Sequence, residues 1–560
     1  MSQRLVNIYT HLVQNRKHEL IGWYNSYKKF CEDVDAIRAN LSLHNLQDSQ
    51  TYTGTSIEKS QTPFDEFITQ LLYEQSNGIS TRGRSVLSWN NLEAFKKANG
   101  FDSAISDLIV KHDYSSYDAL KKWWAAQKVG NNPVLINRAT AACTAEVSTT
   151  VDEGKFNQLF DWMQNEDLIS PYQGQQGYDW FNKNVFVINQ LTAALSNVQG
   201  VDKYWISLFV WEMFANISNP FSLKKQIVKY GSPGTGKTYT AIQNTKLLFE
   251  IWKDEFAPSS SFDFNEHIEQ VQFHPSYTYE DFLEGLRPKP DNNHQSQLIL
   301  QNGVFKTFSI KAAKWERDIA DLVKSGSLSK EWRELRIQDV SSLQEQLTGN
   351  HWKYIFNAPD KSKKLSDAVP PYFFIIDEIN RAELSRVFGE LMYCLEYRGV
   401  KGALKTQYSH LNDGSTGMIQ IGSDFRFFIP FNIYVIGTMN TIDRSVESFD
   451  FALRRRFRWE EVMPDTGLLY YHLVKHNSKW VGLANDLQML NDDIKNEPLL
   501  GRDFQIGHAY LWDLPYSGNL TVGEVREAVW EDSIEPLLQE YLRGTGREDL
   551  LERFASKFGI

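Results

Sequence analysis

The chain is poor in the features that announce secretion, a membrane or a metal. Its 560 residues contain three cysteines, Cys31, Cys143 and Cys394. They are odd in number and far apart, so they make neither a disulfide framework nor a zinc spacing, and they fit a reducing cytoplasm. The first residues, MSQRLVNIYTHLVQNRKHEL, hold no apolar core of signal-peptide length. No apolar run is long enough to cross a bilayer. The most apolar stretch, 425–437, is interrupted by Pro430 and Asn432 and reads as strands. A cytoplasmic protein without a membrane span is the expectation. A basic excess is missing too: the net charge is −11, and acids and bases nearly balance over residues 1–200. Sequence-independent polynucleotide binding relies on such an excess, so any nucleic-acid contact must come from a local patch. Internal repeats and low-complexity tracts are also absent.

What is present is a phosphate loop. Gly231-Ser232-Pro233-Gly234-Thr235-Gly236-Lys237-Thr238 fits G-x-x-x-x-G-K-[ST]. Residues 227–230 read as a strand before it and 238–250 as a helix after it. Strand, glycine loop and helix are the parts a triphosphate cradle needs, because backbone N–H groups turn inward and the helix N-terminus adds partial positive charge. Lys237 would reach the β- and γ-phosphates, and the Thr238 hydroxyl would hold Mg²⁺.

Length suggests about three or four domains. Residues 1–200 read as mostly helical. One helix there runs over 62–78, with Thr62 as N-cap, Pro63 first, an apolar face including Ile68, Leu71 and Leu72, and Gly78 as the stop. Segments 120–128 and 156–165 are amphipathic, and 134–136 reads as a short strand. Residues 215–460 alternate strand and helix signals, with strands at 227–230, 269–273, 372–376 and 434–437 and a helix over 381–397. That alternation predicts an α/β parallel sheet covered by helices. An insertion over about 289–370 carries a hairpin candidate at 297–308 around Asn302-Gly303, then a charged helix over 311–347; insertions often carry partner contacts. Residues 461–560 read as a helical lid.

Three blocks surround the nucleotide. The strand Tyr372-Phe373-Phe374-Ile375-Ile376 ends in Asp377-Glu378. Ligands sit at the carboxyl ends of strands in open α/β sheets. Asp377 would bind Mg²⁺ and Glu378 would polarise the attacking water. A second apolar strand ends at Asn440, which could orient that water or simply end the strand in a turn. Arg454-Arg455-Arg456 could be a solvated helix end, or could supply charge to a neighbour's phosphoryl group.

In this order, the motifs resemble an AAA+ module: a P-loop parallel sheet with a helical lid, preceded here by a mostly helical N-terminal domain. Finer stretches resemble the McrB family, the GTP-driven motor subunits of modification-dependent restriction systems. These stretches are Val271-Gln272-Phe273-His274-Pro275-Ser276-Tyr277 continuing to Pro288, then Ile376-Asp377-Glu378-Ile379-Asn380-Arg381-Ala382, Gly437-Thr438-Met439-Asn440-Thr441-Ile442-Asp443-Arg444-Ser445, and Gly501-Arg502-Asp503-Phe504-Gln505-Ile506-Gly507-His508-Ala509-Tyr510. The resemblance covers about 215–560 and none of 1–200. It implies homohexameric rings with GTP or ATP between protomers, a McrC-like nuclease subunit, and DNA, modified at its target, as the polymer moved. It matches Lys237, Thr238, Asp377, Glu378 and Asn440 to nucleotide and catalytic positions, and puts Asp443 in the signature loop. It makes Arg455 and Arg456 the finger candidates and Arg502 a lid arginine facing the phosphates. Asn380 and Arg381 match a pair that could couple ring and partner. No role follows for His274 or Tyr277, which could pack under the P-loop.

Guanine preference comes by resemblance alone, since the chain has no N-K-x-D loop. It also has no Pro-Asp cluster with an acid-x-Lys triplet, so the nuclease would be a second protein. Residues 1–200 would choose the target. Their tryptophans, Trp23, Trp89, Trp123, Trp124, Trp162 and Trp180, could line a pocket for an extruded base or build a core. Lys121-Lys122-Trp123-Trp124 is a candidate DNA contact. Two other classes stay open: an ATP-driven remodeller of proteins, and a nucleotide-gated assembly scaffold.

Overall fold

The computed structural model describes residues 2–39, 68, 71–72, 78–79, 98–127, 133–172, 179–218, 224–290, 296–358, 360–442, 451–514 and 520–560. The chain forms two compact units. One comprises residues 1–222, 465–500 and 508–560; the other comprises 223–464 and 501–507.

The described residues of the first unit are helical. Asp113, Asp152, Asp179 and Asp202 begin the helices Tyr114–Ala126, Glu153–Asn165, Trp180–Ala194 and Lys203–Met213, each accepting a first-turn backbone N–H. Of the helix expected over 62–78, only Ile68, Leu71, Leu72 and Gly78 lie among the described residues, and the three apolar ones are helical and buried. The strand expected at 134–136 is instead part of the helix Pro133–Cys143, which is buried from Leu135 onward. A helix buried all round shows no amphipathic stripe, so its apolar triplet imitates a strand. Trp124 and Trp180 belong to the core, and Trp180 donates to the Thr150 carbonyl at 2.8 Å. Trp23 donates to the Gly78 carbonyl and Trp123 to that of Asn99, Trp162 is half-buried, and Trp89 lies outside the described residues. Lys122 pairs with Asp118 at 2.5 Å, while Lys121 lies over the Tyr117 ring. Trp124 and Trp180 thus pack between helices, while Lys121 and Lys122 make contacts within their own helix. The C-terminal part of the unit adds Thr466–His476, Gly482–Asn496, Val522–Val529, Glu535–Leu542 and Leu550–Phe558.

The second unit carries the strands: β1 (Gln226–Gly231), β2 (Ile268–Gln272), β3 (Glu284–Pro290), β4 (Ser296–Asn302), β5 (Tyr372–Asp377), β6 (Ile419–Ile421), β7 (Asp424–Arg426), β8 (Ile433–Asn440) and β9 (Arg458–Glu461). Five make one parallel sheet in the order β2-β5-β8-β1-β9. β9 had no signal in the sequence, because Arg458-Trp459-Glu460-Glu461 is charged; an edge strand tolerates that. β3 and β4 pair with each other, as do β6 and β7. The expected hairpin turn at Asn302-Gly303 is therefore misplaced: β4 ends at Asn302, and Gly303 starts the helix Val304–Ala312. Glycine is needed there for close approach, since a Cβ would come within 2.5 Å of the Phe282 carbonyl carbon. The single charged helix expected over 311–347 is also broken, into Lys314–Lys324 and Ile337–Ser341 with irregular chain between. The helix expected over 381–397 divides into Leu384–Phe388 and Leu391–Glu396, parted by Gly389 at φ +46.

The inserted segment is not an appendage. Trp315, Ile319, Trp352, Ile355 and Leu365 share one core with β5, where Phe373, Phe374, Ile375 and Ile376 are fully buried. From the inserted helix, Glu316 reaches under the sheet and accepts the backbone N–H groups of Val400 at 3.0 Å and Phe431 at 3.2 Å. Burial pushes its carboxyl up to about 7, against an ordinary 4.5. The folded chain therefore keeps this proton through a range where the unfolded chain has released it. Stability contributed here is full below pH 4.5 and lost as pH rises through about 7. Urea unfolding of wild type and Glu316→Gln across pH 5 to 8 checks this: the wild-type midpoint should fall with pH relative to the variant, and parallel curves would refute it.

Candidate nucleotide site

The parallel register gathers the candidate residues. Gly231 at the end of β1 lies level with Asn440 at the end of β8, and Ile376 near the end of β5 lies level with Gly437. The loop after β1 turns through Gly236, left-handed at φ +71, into the 20-residue helix Lys237–Phe256. Few residues other than glycine accept that conformation. Inside the loop, Lys237 Nζ donates to the carbonyls of Ser232 at 2.7 Å and Gly231 at 3.2 Å, and Thr235 Oγ1 donates to the Ser232 carbonyl at 3.1 Å. The Ser232 hydroxyl is fully buried with no partner among the described residues. A glycine loop with an inward ammonium, an unused hydroxyl and a helix N-terminus suits a phosphate chain.

Three oxygens sit beside it. Thr238 Oγ1 donates to Asp377 Oδ1 at 2.7 Å, and the Thr438 hydroxyl donates to the same oxygen. The two threonine oxygens are 3.2 Å apart. Hydroxyl and carboxylate oxygens are the donors a hard cation such as Mg²⁺ takes. The sequence placed Thr438 in the Gly437–Ser445 stretch but assigned it no role, although its position two residues before Asn440 on an apolar strand was a usable signal.

Glu378, next to Asp377, has φ +51 and ψ +47. A non-glycine residue in that region stores strain of order 1 kcal/mol, which persists only where neighbours enforce it. Here Asn440 Nδ2 donates to Glu378 Oε1 at 2.8 Å, and Arg381 Nε stands 3.4 Å from Oε2. Asn380 reaches the Asn440 carbonyl at 3.4 Å. Asp443 lies outside the described residues.

The segment 501–507 also arrives at this edge. The Arg502 guanidinium pairs with Glu461 at the end of β9 and lies 3.6 Å from Met463 Sδ. Gly507 N–H donates to the Pro233 carbonyl at 3.1 Å. A Cβ on Gly507 would stand 2.0 Å from the Gly234 carbonyl carbon. This contact with the phosphate loop had no counterpart in the sequence reading, since nothing local marks a glycine some 270 positions downstream as part of the loop's wall.

Arg455 and Arg456 are elsewhere. They end the helix Phe451–Arg456, just before β9. β9 begins level with Ile227, whereas the phosphate loop begins at Gly231. Four residues of strand, roughly 13 Å, separate the arginines' end of the sheet from their own phosphate loop. Lys224 Nζ, two residues before β1, donates to the Arg455 carbonyl at 2.5 Å, which holds them there. His274 and Tyr277 do not pack under the P-loop: they follow β2, which β5 and β8 separate from β1. Tyr277 stacks on Phe273 at 4.6 Å, and with His274, Glu280, Asp281 and Arg287 it lines a cavity of about 490 Å³.

The packing of Gly507 yields a direct test. Gly507→Ala should push on Gly234 and lower nucleotide affinity by about tenfold or more, the cost of overpacking a rigid contact. Titration with a fluorescent nucleotide analogue measures it; unchanged affinity would show that the loop has room to move.

Comparison with known proteins agrees with this geometry. A family model for the AAA domain of the dynein-related subfamily matches residues 227–457, and one for the alpha-helical lid domain of McrB matches 482–548. The chain is 29% identical over 431 residues to the Type IV methyl-directed restriction enzyme EcoKMcrB subunit of Escherichia coli (strain K12), a match covering 74% of this chain and 72% of that protein. It is 22% identical over 345 residues to the Type II restriction enzyme BsuMI component YdiS of Bacillus subtilis (strain 168), covering 60% and 86%. The phosphate loop with its paired carboxylates and the matched helical lid thus occur together in one chain, which is similar to McrB-type AAA+ subunits.

Proposed function

We propose that this chain is the nucleoside-triphosphate-driven motor of a two-component restriction complex. In this reading it assembles as a homohexameric ring, hydrolyses GTP, with ATP as the competing substrate, and moves DNA toward a separate McrC-like nuclease subunit. The observation that carries the reading is the division of labour across the sheet. One edge brings together Lys237, Thr238, Asp377, Glu378 and Asn440, while Arg455 and Arg456 sit at the opposite end. A site so arranged suits a triphosphate, with Lys237 as the charge inside its loop, but Arg455 and Arg456 lie too far along the sheet to serve it from the same chain. A neighbouring protomer can supply them. The restriction context rests on the two relatives, one described as methyl-directed and the other as a restriction component.

The residues divide the chemistry as follows. Backbone N–H groups of the phosphate loop and Lys237 hold the β- and γ-phosphates. Thr238 and Asp377 would hold Mg²⁺, with Thr438 orienting the Asp377 carboxylate; the ion would neutralise charge on the phosphate oxygens. Glu378, fixed by Asn440 and by its strained backbone, accepts the proton of the attacking water. Arg455 and Arg456 serve the next protomer's γ-phosphate, and Arg502 stands at the edge of the site beside Glu461. Asp443 belongs to the loop after Asn440. Residues 1–200 choose the DNA target.

Glu378→Gln should bind nucleotide within about twofold of wild type and lose about 100-fold or more of turnover, as removal of a positioned base does. Phosphate release, measured with GTP and with ATP, with and without modified duplex DNA and the product of the neighbouring reading frame, checks the assignment. Wild-type turnover by the variant would remove Glu378 from the mechanism. Turnover that responds to a protein substrate and never to DNA would move the chain to a different class of remodeller.

A further inference from the structure

We infer that Glu396 is a positioning residue for the arginine donor: its carboxylate holds the arginine pair so that Arg455 projects toward a neighbouring protomer. The inference rests on the reading above that these arginines act in trans. One oxygen, Glu396 Oε2, faces both guanidinium groups, with Arg456 Nη2 at 3.1 Å and Arg455 Nη2 at 3.5 Å. The two partners differ in burial. The Arg456 side chain is 13% exposed and the Arg455 side chain is 66% exposed.

The backbone around them is pinned. Lys224 Nζ donates to the Arg455 carbonyl at 2.5 Å, and Trp459 Nε1 donates to the Arg454 carbonyl at 2.9 Å. The Arg454 guanidinium lies over the Trp459 ring. Each arginine thus has its own place. Arg454 stacks on Trp459, Arg456 is drawn in by Glu396, and Arg455 keeps a long, exposed contact. Exposed pairs of that kind contribute little and give way to a stronger anion. A phosphoryl group offers more charge and more acceptor oxygens than a carboxylate, so Arg455 can pass from Glu396 to phosphate with its orientation already set.

Local helix stability does not explain Glu396. It ends the helix Leu391–Glu396, and a carboxylate at a helix C-terminus has the wrong sign for the helix dipole. Glu396 stands instead where two like charges would otherwise repel each other.

The test uses the full chain with its nuclease partner and DNA. Glu396→Ala should keep nucleotide KM within about twofold, because KM reports the protomer's own phosphate loop, and should lower kcat by about tenfold or more, as loss of an oriented donor does. Glu396→Gln, which keeps the shape and loses the charge, should lie between. Mixed rings separate positioning from folding. Glu378→Gln protomers have an intact arginine end, and Glu396→Ala protomers have an intact nucleotide site, so their mixture should turn over faster than either alone. An Arg455→Ala and Glu378→Gln mixture is the reference. Wild-type kcat in Glu396→Ala would overturn the proposal, as would recovery in the reference mixture without recovery in the Glu396→Ala mixture. If the reference mixture itself fails to recover while wild type turns over, the trans-acting arginine is refuted, and the role of Glu396 with it.

Discussion

The parallel pairing of β1, β8 and β5 is the constraint on which the site depends. Gly231 stands level with Asn440 and Ile376 with Gly437, so three strand ends deliver the phosphate loop, the acidic pair and the asparagine to one edge. Side chains alternate faces along a strand, so a slip of one residue in β5 would turn Asp377 away from Thr238 and Thr438. The fully buried run Phe373-Phe374-Ile375-Ile376 resists that slip, because it would drive the carboxylate of Asp377 into the core. Core packing and catalytic geometry are therefore one requirement in this sheet.

The same pairing separates what it does not gather. β9 starts level with the beginning of β1, so the arginines that precede it stand at the far end from their own phosphate loop. In the proposed reading a positive charge there serves a neighbour's nucleotide, which is why that activity would depend on assembly. The inserted segment acts from below: Glu316 satisfies two backbone N–H groups at the ends of the 400 and 431 turns, and this fixes the approach to β8. An insertion that looked like a platform for partners is, over much of its length, part of the wall behind the sheet.

Much of the second unit was legible because its signals are local. Three of the five sheet strands, β1, β5 and β8, are largely buried apolar runs, and the phosphate loop is a contiguous glycine-rich pattern. The helix Pro133–Cys143 was not legible, because complete burial erases periodicity. β9 was hidden by its charges. The turn placed at Asn302-Gly303 went wrong because glycine there answers a crowded neighbour, Phe282, and not a backbone turn. The roles of Thr438 and Gly507, both inside recognised stretches, went unread for one reason: their partners, Asp377 and Gly234, are distant in the chain.

The sequence by itself determined where the phosphate-loop pattern lies and which two carboxylates follow on a buried strand. These are properties of contiguous residues, set by backbone freedom and hydrophobic pattern. Only the tertiary structure decided that Asn440 grips Glu378, that Thr438 shares Asp377, that Gly507 walls the phosphate loop, and that the arginines face away from it. Each of these depends on strand order and register, and those are fixed by packing among segments far apart in the chain.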